Sequence, residues 1–173
     1  MFRVAADSLE AYLAFDPART ADLEAVHALM RKAAPALKRH FHAGTPAGEA
    51  GMRMKLIGYG EFRYAIKSGK TASWPVIGVA LQKNYISVYV AVTRNGKPLV
   101  SCYAGKLGEL RMGGNNFSFE KFEDLKAAAV ASLFAEAAAI FKADRENPVY
   151  AGKLVRASCS PGARGREGSE AAN

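Results

Sequence analysis

The stretch LIGYGEFRYAIKSGKTASWPVIGVALQKNYISVYVAV, residues 56–92, decides the fold. It contains three runs rich in β-branched and aromatic residues, at 57–66, 76–81 and 85–92. Each run is bounded by turn-forming residues, a composition typical of β-strands. Only residues 82–84 separate the last two runs, and so short a connector predicts a hairpin turn. The stretch therefore predicts the centre of an antiparallel sheet.

Alternation along these runs divides their side chains between two faces of the sheet. One face is apolar and is expected to lie under helices: Phe62, Tyr64, Ile77, Val79, Leu81, Ile86, Val88 and Val90. The other face sets small residues between tyrosines and an arginine: Tyr59, Arg63, Gly78, Ala80, Tyr85, Ser87 and Tyr89.

The second face allows two interpretations. Small residues leave a trough, tyrosines supply walls with a polar tip, and arginine supplies a fixed fork of donors, which together favour a ligand site. The alternative is structural, because Gly78 and Ala80 also allow another segment to lie close to the sheet. Both interpretations use the same residues, so the pattern does not separate them.

Helical patterns flank the strands on both sides. The capping-box spacing of Asp7 and Glu10 predicts a short first helix that ends near residue 15. Asp16, followed by a proline, starts a second helix with an apolar stripe at helical spacing. The alanine-rich stretch 124–141 predicts the longest helix, because neither glycine nor proline interrupts it.

Two shorter strands complete the predicted sheet, at residues 37–42 and 117–119. The sequence thus predicts an α+β fold, in which an antiparallel sheet of about five strands is covered on one face by N-terminal and C-terminal helices. We expect a single domain over residues 1–145. Residues 146–173 contain few apolar side chains and are expected to form a largely disordered C-terminal tail.

The charge of the chain favours anionic partners. The net charge is +8, and residues 36–97 hold ten Lys or Arg against only Glu49 and Glu61. Such a field attracts anionic metabolites, acidic protein surfaces or nucleic acid. No apolar run approaches the ~20 residues of a membrane-spanning helix, and the N-terminus lacks a secretory-signal pattern. We therefore expect a cytoplasmic protein without membrane contact.

Cations close to the tyrosines complete the candidate ligand site. Residues 105–114 are glycine-rich and contain Lys106 and Arg111, a composition that resembles a loop that cradles phosphate. Their spacing matches no nucleotide-binding motif, so ordinary glycine turns are the alternative. We expect Lys83, Lys106 and Arg111 to converge with Tyr85. The predicted ligand-binding residues are Tyr59, Arg63, Lys83, Tyr85, Tyr89, Lys106 and Arg111.

Other classes of site have less support. No paired carboxylates, serine elbow or Cys–His pair stands at catalytic spacing, so the sequence indicates a protein that is not an enzyme. His40 and His42 share a strand face, but nothing nearby completes a metal site, and no cofactor is expected. Stacked tyrosines on a basic face suit nucleic-acid bases, yet no RNA-binding or DNA-binding motif is present.

The order of motifs in residues 8–141 resembles the YdhG-like domain family, a group of small bacterial domains. The resemblance rests on GYGEFRY at 58–64, WP at 74–75, QKNYI at 82–86 with Tyr89, and YAGKLG at 103–108 followed by MG at 112–113. It implies a fold similar to secretion-chaperone-like domains. Some relatives are described as frataxin-like iron chaperones, so iron delivery is a named alternative. Frataxin-type iron binding uses an acidic helix surface, and the acids of residues 7–24 are few.

Three functions are carried forward as hypotheses. The leading one is a non-enzymatic binding domain that takes an anionic small molecule or an acidic protein partner on an open tyrosine and basic sheet face. The second is an intracellular iron chaperone that uses Asp22 and Glu24. The third is a homo-oligomeric interaction module, a homodimer in which the tyrosine face pairs with its copy. A trough of small residues suits a ligand and a partner equally.

Overall fold

A computed structural model describes residues 2–49, 52–65 and 69–148 of the chain. Its main sheet has six strands, all antiparallel to their neighbours, in the order β1-β2-β3-β4-β8-β7. The predicted α+β class and antiparallel sheet are confirmed, with one strand more than the five expected. The strands are β1 (Arg39–His42), β2 (Leu56–Ala65), β3 (Thr71–Leu81), β4 (Ile86–Val90), a separate hairpin of β5 (Thr93–Arg94) and β6 (Lys97–Pro98), β7 (Arg111–Met112) and β8 (Asn116–Phe119).

The helices lie close to their predicted positions. They are α1 (Leu9–Ala14), α2 (Thr20–Ala33) and α3 (Ala127–Ala143), with 3₁₀ helices at Pro17–Arg19, Leu99–Tyr103 and Phe122–Asp124. The N-cap of α1 is Ser8 rather than the expected Asp7, because Ser8 Oγ accepts the N–H of Ala11 at 3.1 Å. None of the helices in the described ranges is long and apolar enough to cross a membrane.

The helices cover one face of the sheet. The ring of Tyr12 in α1 lies 6.0 Å from that of Phe41 in β1, and His27 in α2 lies 5.9 Å from Tyr59 in β2. Helix α3 packs against α2 and β3. The apolar stripe of α2 is buried as predicted, and α3 buries Phe134 among its inward residues. Burial of these stripes supplies the main driving force for folding.

The hairpin of β2 and β3 is longer than predicted and bends back on itself. In the register, His42 pairs with Leu56 and Trp74 pairs with Phe62, six residues farther along β2. In a flat hairpin those positions would be roughly 20 Å apart along the strand, at about 3.3 Å per residue. The rings of His42 and Trp74 are only 5.0 Å apart. Gly60, at φ +63°, lies between the two pairs and allows the bend.

We call the outer half of this hairpin, residues 61–65 and 69–75, the arm. Side chains of β1 and β2, together with Pro75 of the arm, fill the predicted trough of small residues. A methyl group at Gly78 would lie 3.1 Å from Leu56 Cδ2, and one at Gly58 would lie 2.5 Å from the ring of His40 and 3.0 Å from Pro75 Cβ. The prediction of an open trough was therefore wrong, because the two glycines allow neighbouring side chains to lie close to the sheet.

Two side chains tie the helices to the far end of β3. Arg19 donates from Nη1 to the carbonyls of Gln82 (2.7 Å) and Tyr85 (3.1 Å), and from Nη2 to that of Lys83 (2.8 Å). The buried Oη of Tyr12 accepts the backbone N–H of Leu81 at 2.8 Å. The turn between β3 and β4 is thus held by charge-assisted hydrogen bonds from the helical side.

Candidate functional site

Tyr59 does not lie on an open face. It pairs with Ile77 on the side covered by helices, is 1% exposed, and its Oη lies 3.2 Å from His27 Nδ1. Burial raises the pKa of the Tyr59 hydroxyl above its ordinary range. The prediction assumed a register one residue away from the observed one, and such a slip moves every side chain to the opposite face. Tyr59 is a core residue.

The structure does bring Tyr85 and Arg111 together. The guanidinium carbon of Arg111 lies 5.2 Å from the centre of the Tyr85 ring, within range of a cation–π contact. The two residues line a cleft of about 340 Å³. The same cleft carries the carboxylates of Glu109, Glu120 and Asp124, which repel an anion. The predicted convergence of these two residues is thus confirmed, but their surroundings do not suit an anionic ligand.

The other predicted cations lie apart from this cleft. Lys83 and Lys106 are exposed and are outside its lining. Arg63 is exposed on the arm, where it pairs with Ser73 across the β2–β3 ladder. The expected convergence of Lys83 and Lys106 with Tyr85 and Arg111 is therefore not what the cleft shows. Its walls come from Tyr85 in the β3–β4 turn and from residues 109–111, 118–120 and 124.

Tyr89 lies on the face opposite the helices, as predicted. It pairs with Gly78 on one side and Asn116 on the other, and it is half-buried. Beside it, Ser87 Oγ and Ser118 Oγ lie 2.9 Å apart and are buried together. This part of the face is a packed layer, so the homodimer hypothesis loses the open tyrosine surface on which it depended.

The acids named for iron binding are both engaged in the fold. Asp22 Oδ1 accepts the backbone N–H of Phe122 at 2.8 Å, and Glu24 Oε1 lies 2.9 Å from Arg39 Nη1 in a salt bridge. Among the residues that the structure describes, no three His, Cys, Asp or Glu side chains are grouped as a metal ion would require. Nothing in this geometry favours the iron-chaperone hypothesis.

A polar cleft lies between the arm and the loop that follows β1. It has a volume of about 400 Å³, and we call it the arm cleft. The loop is held at its base because Thr45 N–H donates to the carbonyl of Met52 at 2.7 Å. The lining consists of His42, Gly44, Thr45, Pro46, Gly48, Glu49, Lys70, Thr71, Ala72 and Ser73.

The chemistry of the arm cleft is dominated by hydrogen-bond donors. Thr45, Thr71 and Ser73 supply hydroxyl groups, and Lys70 supplies an ammonium group. A shallower groove that shares Thr71 and Ser73 with the cleft also includes Arg63. Glu49 is the single carboxylate in the lining. The hydroxyl and ammonium groups can donate hydrogen bonds to the oxygens of a small anion.

His42 forms part of the lining and is unusual among its polar residues. Its side chain is 8% exposed, and its ring lies edge-on to Trp74. Within the described ranges, Nε2 of His42 is buried without a hydrogen-bond partner, and so is Nε2 of His40. Burial lowers the pKa of His42, the charge of His40 lowers it further, and Glu61 opposes both.

The sequence indicated some residues of this region, His42 and Arg63 among them, but did not predict that they lie near one another. The shared strand face of His40 and His42 was noted, and Arg63 was named as a ligand contact. Lys70, Thr71 and Ser73 had no distinguishing signal, because they belong to a hairpin whose bend is visible only in three dimensions. The WP pair at 74–75 was the available signal, since a tryptophan beside a proline within a strand indicates an unusual packing site.

No family model, no curated protein and no solved structure matches this sequence.

Proposed function

We propose that this chain is a non-enzymatic binding domain that takes an anionic small molecule in the arm cleft. The observation that carries the proposal is the cleft itself, which has a volume of about 400 Å³ and includes Lys70, Thr45, Thr71 and Ser73 in its lining. Ligand sites are commonly concave and contain a few polar groups, as this one does. An acidic segment of a partner protein would offer the same carboxylate chemistry.

The charge of the sheet half of the chain supports an anion over a cation, because residues 36–97 hold ten Lys or Arg against two Glu. At the arm cleft itself, Lys70 and the neighbouring Arg63 are balanced by Glu49 in the lining and Glu61 on the arm. A positive field over the sheet half raises the local concentration of anions and the rate at which they reach the cleft. The Tyr85 and Arg111 cleft holds three carboxylates beside one guanidinium.

Isothermal titration of the full chain with inorganic phosphate and, separately, with succinate tests the proposal and distinguishes the two kinds of oxyanion. We expect Lys70→Ala to weaken binding roughly 10- to 100-fold, since a hydrogen bond to a charged group is worth about 1.5–3 kcal/mol. Lys106→Ala is the matched control, because Lys106 is an exposed cation outside the cleft.

Equal losses in the two variants would overturn the proposal, because binding would then depend on net charge rather than on this cleft. If neither phosphate nor succinate binds, the proposal is overturned as well. The homo-oligomeric alternative would gain support from a concentration-dependent dimer in sedimentation of the same samples. The relation to YdhG-like domains and to their iron-chaperone members stays a prediction from sequence.

A further inference from the structure

We propose that the arm cleft takes its anion as part of an extended acidic segment of another protein, which adds as a strand to the outer edge of β3 in the arm. The inference rests on the proposed function, because it concerns the same cleft. It names the kind of partner and assigns the backbone of Ala72 as a group that binds it. We call the side of residues 71–73 that faces away from β2 the arm edge.

The outer edge of β3 lacks a neighbouring strand along the arm. Strand β4 pairs with β3 only from Ile77 to Leu81, whereas β2 pairs with it from Thr71 onward. Within the described ranges, no strand therefore pairs with the arm edge. A strand edge without a partner presents N–H and C=O groups with which another strand can pair.

The backbone of Ala72 is directed to this edge. The carbonyl of Val76 accepts the N–H of Ala91, which follows β4, at 2.9 Å, so Val76 uses the side of β3 that faces away from β2. Backbone groups of successive strand residues point to opposite edges, so those of Ala72, four residues earlier, point to the same side as those of Val76. The bend does not interrupt this alternation, because the pairing of β2 and β3 keeps one register on both sides of it.

The arm cleft lies against the arm edge. A strand that turns one face toward a cleft contributes every second residue, because side chains alternate between the two faces. The cleft is instead lined by three successive strand residues, Thr71, Ala72 and Ser73, and by Lys70 before them. Thr71 is exposed and the next two residues are half-buried. The loop after β1 forms the opposite wall, so a strand added at this edge would lie within the cleft.

The charges of this half of the chain favour an acidic strand. Lys70 lies at the start of the arm edge, and Arg63 lies in the adjoining groove. Alternate residues of an added strand share one face, so carboxylates at every second position suit these two cations. Glu49 and Glu61 oppose the cations locally, but the basic excess of residues 36–97 attracts an acidic segment to the sheet. In strand addition, backbone hydrogen bonds supply affinity and alternate side chains supply specificity.

The test uses the full chain and the capped pentapeptide acetyl-Glu-Val-Glu-Val-Glu-amide, with succinate as a dicarboxylate that has no peptide backbone. In isothermal titration, the peptide should bind about 10-fold or more tightly than succinate, since backbone hydrogen bonds add to the carboxylate contacts. Amide hydrogen exchange, followed by NMR, should slow at Ala72 when the peptide binds. Succinate should leave the exchange rate of that amide unchanged.

Two substitutions at Ala72 separate backbone pairing from charge. Ala72→Pro removes the N–H that points away from β2 and keeps the β2–β3 ladder, because proline is tolerated where its nitrogen faces an open edge. It should weaken peptide binding by at least about fivefold and leave succinate affinity within about twofold of the wild type. Ala72→Ser keeps the N–H and should bind the peptide as the wild type does.

The outcomes separate this inference from the proposed function. A peptide that binds no more tightly than succinate, or that leaves the exchange at Ala72 unchanged, would overturn the inference and leave the cleft as an anion site. If the peptide, succinate and phosphate all fail to bind, both proposals are overturned. A wild-type dimer in sedimentation that Ala72→Pro converts to a monomer would overturn the inference and assign the arm edge to a second copy of the chain. If Ala72→Pro fails to fold, the exchange at Ala72 in the wild type decides alone.

Discussion

The close packing at Gly58, between His40 of β1 and Pro75 of the arm, is tested most sharply by adding one methyl group there. In Gly58→Ala the new Cβ would lie 2.5 Å from Cε1 and Nε2 of His40 and 3.0 Å from Pro75 Cβ. The His40 Nε2 is buried, and Pro75 is a buried residue of β3. The substitution therefore forces the imidazole of His40, the arm or both to shift.

The expected magnitude follows from two opposing effects. Overpacking of a well-packed interior typically costs about 1–3 kcal/mol of unfolding free energy. Replacement of glycine by alanine returns about 0.4–1 kcal/mol, because it restricts the unfolded chain. Gly58→Ala should thus lower the free energy of unfolding by roughly 0–2.6 kcal/mol, and it should be about 1–3 kcal/mol less stable than a glycine-to-alanine variant without a clash.

Gly114→Ala is the matched control, because a methyl group at Gly114 meets nothing within 4 Å and the residue lies outside the left-handed region. This variant should be as stable as the wild type or slightly more so. Urea unfolding followed by Trp74 fluorescence and by circular dichroism measures both variants. If Gly58→Ala proves as stable as Gly114→Ala, His40 and Pro75 do not pack on Gly58 as described.

Three further outcomes are expected from the same unfolding assay. Arg19→Met keeps the aliphatic stem but loses three hydrogen bonds to the β3–β4 turn. The free energy of unfolding should fall by about 1–3 kcal/mol, and a loss below about 0.5 kcal/mol would show that these hydrogen bonds do not stabilise the turn. Tyr12→Phe leaves the buried N–H of Leu81 without its acceptor, which should cost about 1–3 kcal/mol; an unchanged midpoint would show that water replaces the hydroxyl. The folded state holds the pKa of His42 below its unfolded value, so the unfolded chain binds the proton more readily. The free energy of unfolding should therefore fall as pH drops from about 7 to 5. His42→Gln should make that fall less steep, and an equally steep profile would show that His42 does not contribute to it.

The sequence predicted the strands well because their composition is local. The run 57–66 anticipates β2 to within one residue at each end, and the run 85–92 contains β4. The helical stretches were equally readable, since alanine content and apolar spacing need no tertiary information. The N-cap differed by one residue because Asp7 and Ser8 are both good caps, and only the chain path selects Ser8.

Register was not readable, and it decided the fate of the predicted site. The side-chain period of a strand is two residues, so a one-residue difference in pairing exchanges the two faces. For this reason Tyr59 lies in the helix-covered core and not on the predicted open face, whereas Tyr89 lies on the face that was predicted for it. The turn between β2 and β3 sets that register, and its sequence contains no residue pair that fixes one turn type.

The arm cleft was hidden for a different physical reason. Its walls come from the loop after β1 and from the tip of the β2–β3 hairpin, which are more than 20 residues apart in sequence. They meet because β2 bends at Gly60, and a glycine inside a strand signals a bend or bulge without giving its direction. Arg63, predicted as a ligand contact beside the tyrosines, is exposed on the arm, where its neighbours are Thr71 and Ser73.

The most direct test of anion binding in the arm cleft is an NMR titration of the full chain with sulfate, followed through the backbone amides. We expect the largest shifts at Thr45, Thr71 and Ser73, with a smaller response at Trp74 behind His42. Shifts centred on Tyr85 and Arg111, or no saturable shifts at any sulfate concentration, would contradict the assignment of the arm cleft as the binding site.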